Sequence, residues 1–241
     1  MLLLALDTAT PAVTVALHDG ARVVAESTTV DARRHTELLI PAVLDALAEA
    51  GADRRDVTEI AVGVGPGPFT GLRVGLAAAT TWGAALDLPV RGVCSLDVIA
   101  YEVVRSGSAG AQPFAVATDA RRREVYWATY DAAGQRTDGP HVGPPLTPDE
   151  HVGTMLAALP AAGAGARLYP AAFAQVVEPE YPSAAVLATA VAASAVEIVE
   201  PQPLYLRRPD VTVTTGRKSV LGSASTGSAS TGSAQSGRRQ R

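Results

Sequence analysis

Residues 5–20 read ALDTATPAVTVALHDG and residues 117–132 read ATDARRREVYWATYDA. Placed one over the other without a gap, Asp7 meets Asp119, Val13 meets Val125, Val15 meets Trp127, Ala16 meets Ala128 and Asp19 meets Asp131. Each copy is an apolar run that ends at an aspartate, then a turn, then a second strand-like run. Two such openings, each heading a segment of about 100 residues, read as a duplicated α/β domain.

The first copy continues in a pattern that can be followed residue by residue. Residues 2–6 form a short apolar run that meets Asp7 with no basic segment before it, which reads as a buried strand and not a signal peptide. Residues 12–18 alternate up to Asp19-Gly20, and residues 21–29 return. Asp-Gly between two strand-like runs signals a hairpin, so a three-strand meander is expected. A helix is predicted over 34–50, with Leu39, Val43, Ala46 and Ala50 on one stripe and Leu44 and Leu47 beside it. Gly51 is its expected stop, and Pro41 implies a kink or a start near that point. A strand over 59–64 leads to the loop Gly65-Pro66-Gly67-Pro68 and a second helix over 70–86. Leu72, Leu76, Ala79 and Leu86 give that helix its apolar face, while Gly71, Gly75 and Ala78 form a stripe of small residues. A glycine inside a helix costs about 1 kcal/mol against alanine, so two of them imply close approach of another backbone, here expected to be a helix.

Residues 106–112 read as a linker. The second copy is expected to carry a weak helix near 148–158, a clear one near 183–196, and an ending at 204–208. Residues 160–182 are weakly patterned. From Ser219 onward the chain repeats STGSA and holds almost nothing that can be buried, so a disordered, solvated tail is expected. The expected divisions are 1–105, 106–216 and 217–241.

Composition narrows the function classes. Of 241 residues, 47% are hydrophobic and 18% charged, which is globular and excludes wholesale disorder. No apolar run reaches the length of a membrane-spanning helix. The single cysteine, Cys94, excludes a disulfide framework and a cysteine zinc site, and fits a reducing cytoplasm. The formal charge of −4 divides into −9 over residues 1–216 and +5 over 217–241. An acidic body argues against a stand-alone nucleic-acid binder, so any RNA chemistry would need a partner to supply positive charge.

The positions where chemistry is expected are thinly equipped. Asp7, Thr8 and Thr10 follow a buried strand, where a carboxylate can hold a metal-bound nucleotide and hydroxyls can bond phosphate, yet Ala9 stands where a phosphate-cradling turn wants glycine. The competing account is that these residues turn the chain and satisfy backbone amides. The loop containing Gly65, Gly67 and Thr70 lies before a helix, a place suited to anions. It lacks the Gly-Lys-Ser/Thr of a P-loop, and two prolines remove amide donors. Arg73 is expected to bind a phosphate or pair with an acid, the pair being commoner. Asp119, Arg121, Glu124 and Tyr126 allow an Arg–Glu pair that holds the second hairpin, or a functional cluster. His18, His35, His141 and His151 have no metal-ligand spacing, and His35 is expected to be a cap or surface contact. No nucleophile set is present, so neither catalytic nor metal-ligating residues are assigned. Taken together, the residues describe an inactive relative of a nucleotide-using fold.

The segments ALDTAT at 5–10, RHTELLIP at 34–41, GPGPFTGLRVG at 65–75, DARRREVYWATY at 119–130 and PLYLR at 203–207 resemble the TsaB (YeaZ) family, over about residues 2–208. That resemblance implies an actin/Hsp70-like ATPase fold built from two RNase H-like subdomains. It implies a non-catalytic subunit of the machinery that adds a threonylcarbamoyl group to the adenosine next to the tRNA anticodon. Such a subunit pairs with and activates a TsaD-type catalytic subunit, with a TsaE-type ATPase docking on the pair and tRNA met only through the complex. It would have no cofactor of its own, ATP and a metal ion being used by its partners, and whether the chain alone is a monomer or a homodimer is left open. Carried over, the pairing surface lies on the helices at 34–50 and 70–86, on or near His35, Glu37, Leu38, Pro41, Gly71, Leu72 and Gly75. Bulk at Gly75 is then expected to force the paired helices apart. Asp7, Thr8, Gly65, Gly67, Thr70, Arg73 and Asp119 are carried over as degenerate nucleotide or phosphate contacts. Pro68, where the family more usually has serine, and the Ser/Gly/Thr-rich tail depart from the pattern. The alternatives are an active kinase or ATPase of the same fold, which needs Asp7 and Asp119, and a peptidase, for which no zinc motif or nucleophile is present.

Overall fold

A computed structural model describes residues 1–145 and 150–207. The tail expected at 217–241, and the first residues of the helix expected at 148, lie outside them. The first sheet comprises β1 (Leu3–Asp7), β2 (Ala12–His18), β3 (Val23–Val30), β4 (Glu59–Gly63) and β5 (Val90–Val93), in the order β3-β2-β1-β4-β5. β1, β2 and β3 form the expected antiparallel meander, and β4 and β5 run parallel to β1. β1, β2 and β4 are buried along their whole length, because helices cover both faces. At the first turn Gly20 takes φ +98°, and the Asp19 carboxylate accepts the amides of Ala21 and Arg22.

The second sheet repeats the plan with β6 (Phe114–Asp119), β7 (Val125–Tyr130), β8 (Arg136–Gly143), β9 (Pro160–Ala162) and β10 (Gln175–Val177). Its order is β8-β7-β6-β9-β10, with the same antiparallel and parallel neighbours as the first. The strand order and pairing directions of the first sheet therefore recur in the second. The gapless alignment, however, is one residue out on the first strand. Leu6 pairs with Val15 and Asp7 with Thr14, whereas Ala117 pairs with Trp127 and Thr118 with Tyr126. Leu4 and Leu6 share one face of their sheet, as Ala115 and Ala117 do, which leaves Asp7 and Thr118 on the opposite faces. Thr118 is thus the structural counterpart of Asp7. Asp119 stands one residue beyond it because the second hairpin is one residue longer.

The helices are α1 (His35–Glu49), α2 (Phe69–Leu86), α3 (Ser95–Ser106), α4 (Glu150–Ala157), α5 (Ala164–Leu168) and α6 (Ala184–Ala192). α1 is continuous through Pro41, so the helix does not start there; Pro41 sits on the exposed side, where the carbonyl it leaves unbonded can meet water. Leu39, Val43, Ala46 and Leu47 of α1 pack with Leu72, Leu76 and Ala79 of α2 on the face of the first sheet formed by Leu4, Leu6, Val13 and Val15. The other face, formed by Leu3, Ala5, Ala16 and Ala61, takes Ala184, Leu187, Ala188 and Val191 of α6 together with Val98 of α3. Leu96, Ile99, Ala100 and Val103 of α3 pack on Phe114, Val116, Ala128 and Tyr130 of the second sheet. Each half thus lends its last helix to the other half's sheet, and Met1–Arg208 form one compact unit. Among the described residues no helix is long and apolar enough to cross a membrane.

Candidate functional site

The ends of β1 and β4, the start of α2 and the hairpin after β6 come together at one place. Asp7 is fully buried there. One carboxylate oxygen accepts the Ser95 hydroxyl at 2.6 Å and the other accepts the Ala9 amide at 2.7 Å. Burial raises the Asp7 pKa to about 6 despite these bonds. Gly63 has no side chain because a Cβ there would lie 1.9 Å from the Asp7 carboxylate. The Thr8 hydroxyl is equally committed: it donates to the Gly71 carbonyl at 2.8 Å and accepts from the Gly75 amide at 2.9 Å. The Thr10 hydroxyl accepts the Ala12 amide at 3.3 Å. These groups turn the chain and satisfy backbone, the second of the two accounts weighed for them. As placed, the carboxylate of Asp7 and the hydroxyl of Thr8 are committed to bonds within the chain.

Gly65, Pro66 and Gly67 are buried. The Gly65 amide donates to Ser95 Oγ at 3.2 Å. A Cβ on Gly67 would lie 2.2 Å from the Ala9 carbonyl oxygen, and the Tyr126 hydroxyl donates to the Gly67 carbonyl at 3.4 Å. The loop is a rigid strut between the two halves. The small-residue stripe has the same use, which corrects its assignment to a partner-facing surface. Gly71 and Gly75 are buried, and a Cβ on them would come 2.8 Å from the Thr8 carbonyl and 2.6 Å from the Thr8 hydroxyl. Leu72 is 0% exposed. Gly71 and Gly75 face the end of β1 and Leu72 lies beside Gly65, so bulk at Gly75 would strike this chain's own core.

His35 is also corrected. It is buried, with Nε2 2.8 Å from the Thr10 carbonyl, and is not a surface contact. Glu37 is exposed and pairs with Arg34 at 2.8 Å, Leu38 is half-buried, and Pro41 is exposed. Among the described residues Arg73 pairs with no acid. Its guanidinium lies 3.8 Å from the centre of the Phe69 ring, and its Nε donates to the Tyr205 hydroxyl at 2.9 Å. Thr70 is exposed and, with Thr8, Thr10, His35 and Arg121, lines a small cavity beside the start of α2. Asp119 pairs with Arg121 at 3.2 Å. Glu124 pairs instead with Arg207, whose guanidinium also donates to the Ala120 carbonyl at 3.1 Å.

The open feature of this region is a groove between α1 and α2. Ile40, Phe69, Val74, Ala77 and Trp82 line it, and its surface is largely apolar. Ile40 is 39% exposed and Leu44, further along α1, is 52% exposed. The sequence reading missed Ile40, Phe69, Ala77 and Trp82. Their signal was an apolar stripe on each helix, offset from the core stripe. Ser95 and Tyr205 were also missed, and nothing local marks either. Among the described residues no group of three or more His, Cys, Asp or Glu side chains is placed to hold a metal ion.

Comparison with known proteins adds to this geometry. Residues 22–143 match the family model described as TsaD, tRNA N6-adenosine threonylcarbamoyltransferase. The chain is 49% identical to an uncharacterized protein of Mycobacterium tuberculosis strain H37Rv, over 86% of this chain and 92% of that one. It is 40% identical to the Escherichia coli K12 tRNA threonylcarbamoyladenosine biosynthesis protein TsaB, over 54% of this chain and 55% of that relative, so the match spans about half of either. Among solved structures it resembles YeaZ from Pseudomonas aeruginosa, with a TM-score of 0.68 and 34% identity, covering 85% of this chain and 99% of that one.

Proposed function

The chain belongs to the TsaB (YeaZ) family, and from that membership we propose that it is the non-catalytic partner subunit in threonylcarbamoylation of the adenosine next to the tRNA anticodon. In this reading it pairs with a TsaD-type catalytic subunit and activates it. The observation that carries the proposal is the exposed apolar groove of α1 and α2, at a place where neighbouring polar groups are already bonded within the chain. Exposed contiguous apolar surface of this kind marks an interaction site. The pairing residues are then Ile40, Phe69, Val74, Ala77 and Trp82, with Glu37, Leu38 and Pro41 at the margin, while His35, Gly71, Leu72 and Gly75 hold the two helices in place from beneath. The same groove would join two copies when the partner is absent.

The proposal also takes the two halves as RNase H-like subdomains of an actin/Hsp70-like fold acting in the cytoplasm. ATP and a metal ion belong to the partner subunits, among them a TsaE-type ATPase, and tRNA is met through the complex. The sealed carboxylate of Asp7 favours this reading over an active ATPase or kinase.

Reconstitution tests it. The chain, a TsaD-type subunit, a TsaE-type ATPase, ATP–Mg, threonylcarbamoyl-AMP and tRNA are combined, and modified adenosine is scored. Modification should require this chain, and the chain alone should produce none. Ala77→Glu should weaken pairing by about a hundredfold, because it buries an unpaired charge, while the melting temperature stays within a few degrees. Modification indifferent to the chain, or pairing untouched by Ala77→Glu, would overturn the assignment.

A further inference from the structure

The groove between α1 and α2 is lined by apolar and uncharged side chains with one exception. Among the described residues Arg73 is the one charged side chain that lines it. Arg73 is also the one ionisable side chain in α2, whose first turn carries no acid. The start of a helix already bears positive potential from its unpaired amides. Arg73, in the second turn, adds a full charge of the same sign, so this end of the groove favours an anion.

The side chain is held in one posture. Its guanidinium lies 3.8 Å from the centre of the Phe69 ring, and its Nε donates to the Tyr205 hydroxyl at 2.9 Å. Tyr205 in turn stacks on Phe69, with ring centres 5.0 Å apart, and the chain beside it is fixed by the Leu204 amide on the Val64 carbonyl at 2.9 Å. The two terminal nitrogens, which make the forked contact with a carboxylate, bond to none of the described residues. Arg73 is exposed, so a chain that covers the groove covers this charge as well. An arginine buried without a counter-charge is costly. An occupant that is apolar throughout is therefore penalised, and one that brings a carboxylate to this point is selected.

We propose that Arg73 is the residue that selects the partner, taking an Asp or Glu side chain from a helix of the TsaD-type subunit that fills the groove; the inference rests on the reading given under Proposed function. The groove follows α2 from Phe69 to Trp82, about 20 Å at the rise of an α-helix. Its occupant is then a helix of about four turns, apolar along one side, with its carboxylate near the end that lies over the start of α2. A second copy docking groove to groove brings a second arginine and no carboxylate from the groove itself. Glu37, beside the groove on α1, is already paired with Arg34. The acid therefore comes from the other subunit. Tyr205 is a positioning residue, acting through the Nε of Arg73.

The test measures pairing of the full chain with a TsaD-type subunit by titration calorimetry at several KCl concentrations. Arg73→Met keeps an unbranched stem over Phe69 and removes the charge. It should weaken pairing about thirtyfold and reduce its dependence on salt. Arg73→Lys keeps the charge without the fork and should lose about fivefold; it stands in for the first variant if that one is unstable. Tyr205→Phe keeps the ring stack, releases Nε and should lose about threefold. Melting temperatures should stay within a few degrees of the unsubstituted chain. Asp and Glu residues of the TsaD-type subunit are then changed singly to Asn or Gln. One of them should add no further loss to that of Arg73→Met, the coupling expected of two side chains in contact. Pairing unchanged by Arg73→Met, or weakened with the salt dependence intact and no coupled acid, would overturn the contact and leave the proposed function standing. A loss confined to self-association of this chain would also overturn it, by giving Arg73 to a second copy. Failure of the unsubstituted chain to pair would instead overturn the reading beneath it.

Discussion

The two halves share one strand order but end their central strands differently. In the first half the strand closes on Asp7, whose two oxygens are bonded to Ser95 and Ala9. In the second half the counterpart is Thr118, which is 3% exposed and whose hydroxyl has no partner among the described residues. The helices differ too: α1 and α2 span 15 and 18 residues, whereas α4 and α5 span 8 and 5. The first half has spent its polar strand-end groups on internal bonds and left an apolar helix groove outside. The second half kept a strand-end hydroxyl it does not use and exposes an arginine hairpin. Two sheets of one strand order thus carry different surfaces, an apolar groove beside the first and exposed arginines beside the second.

The largest expected effect tests whether the halves share a close approach of loop to strand. A Cβ on Gly67 would lie 2.2 Å from the Ala9 carbonyl, and one on Gly163 would lie 2.2 Å from the Ala117 carbonyl. Gly163 also has φ +103°, which strains any L side chain. Gly67→Ala should cost about 3 kcal/mol and Gly163→Ala about 4 kcal/mol in urea denaturation, because backbone must move in both and the second adds dihedral strain. A cost under about 1 kcal/mol at either position would show that the likeness stops at topology.

The topology was legible where patterns are local. Asp19-Gly20 marked the first hairpin, and the stripe Leu39, Val43, Ala46 with Gly51 after it bounded α1 nearly to the residue. β5 and α3 were passed over. β5 is a four-residue strand carrying Arg91 and Gly92, too short to show a period. The glycine stripe on α2 was visible, but spacing cannot say which way a stripe faces. That depends on Thr8, more than sixty residues away and bonded to both Gly71 and Gly75. The misplaced equivalence of Asp7 and Asp119 has the same origin: two aspartates in a similar setting matched by type, while the side-chain faces that settle the register become visible only once the strands pair.

A smaller effect separates the halves by pH. Burial raises the pKa of Asp7 to about 6 in the folded chain, against about 3.9 in an unfolded one. The native state therefore binds this proton more tightly. The stability that protonation provides is fully present below about pH 4 and is lost as pH rises through about 6. Relative to Asp7→Asn, the unsubstituted chain should lose about 2 kcal/mol between pH 4 and pH 7.5. Thr118 has no proton to lose in this range, so Thr118→Val should leave the pH profile unchanged. A difference between the chain and Asp7→Asn that stays flat across this range would mean that Asp7 is solvated in the folded state.

The smallest effect is the sharpest comparison. Thr8→Val removes a hydroxyl that bonds two backbone groups of α2, leaving the Gly75 amide and the Gly71 carbonyl without it. That should cost about 2 kcal/mol. Thr118→Val keeps nearly the same shape and removes a buried hydroxyl that bonds none of the described residues. Since an unpartnered buried polar group is itself a penalty, the substitution should change stability by less than about 0.5 kcal/mol or raise it by about 1 kcal/mol. Urea midpoints for the two variants decide it. If Thr118→Val instead costs more than about 1 kcal/mol, the hydroxyl holds an ordered water between the two sheets, and the second half is fastened at the same point as the first by a different group.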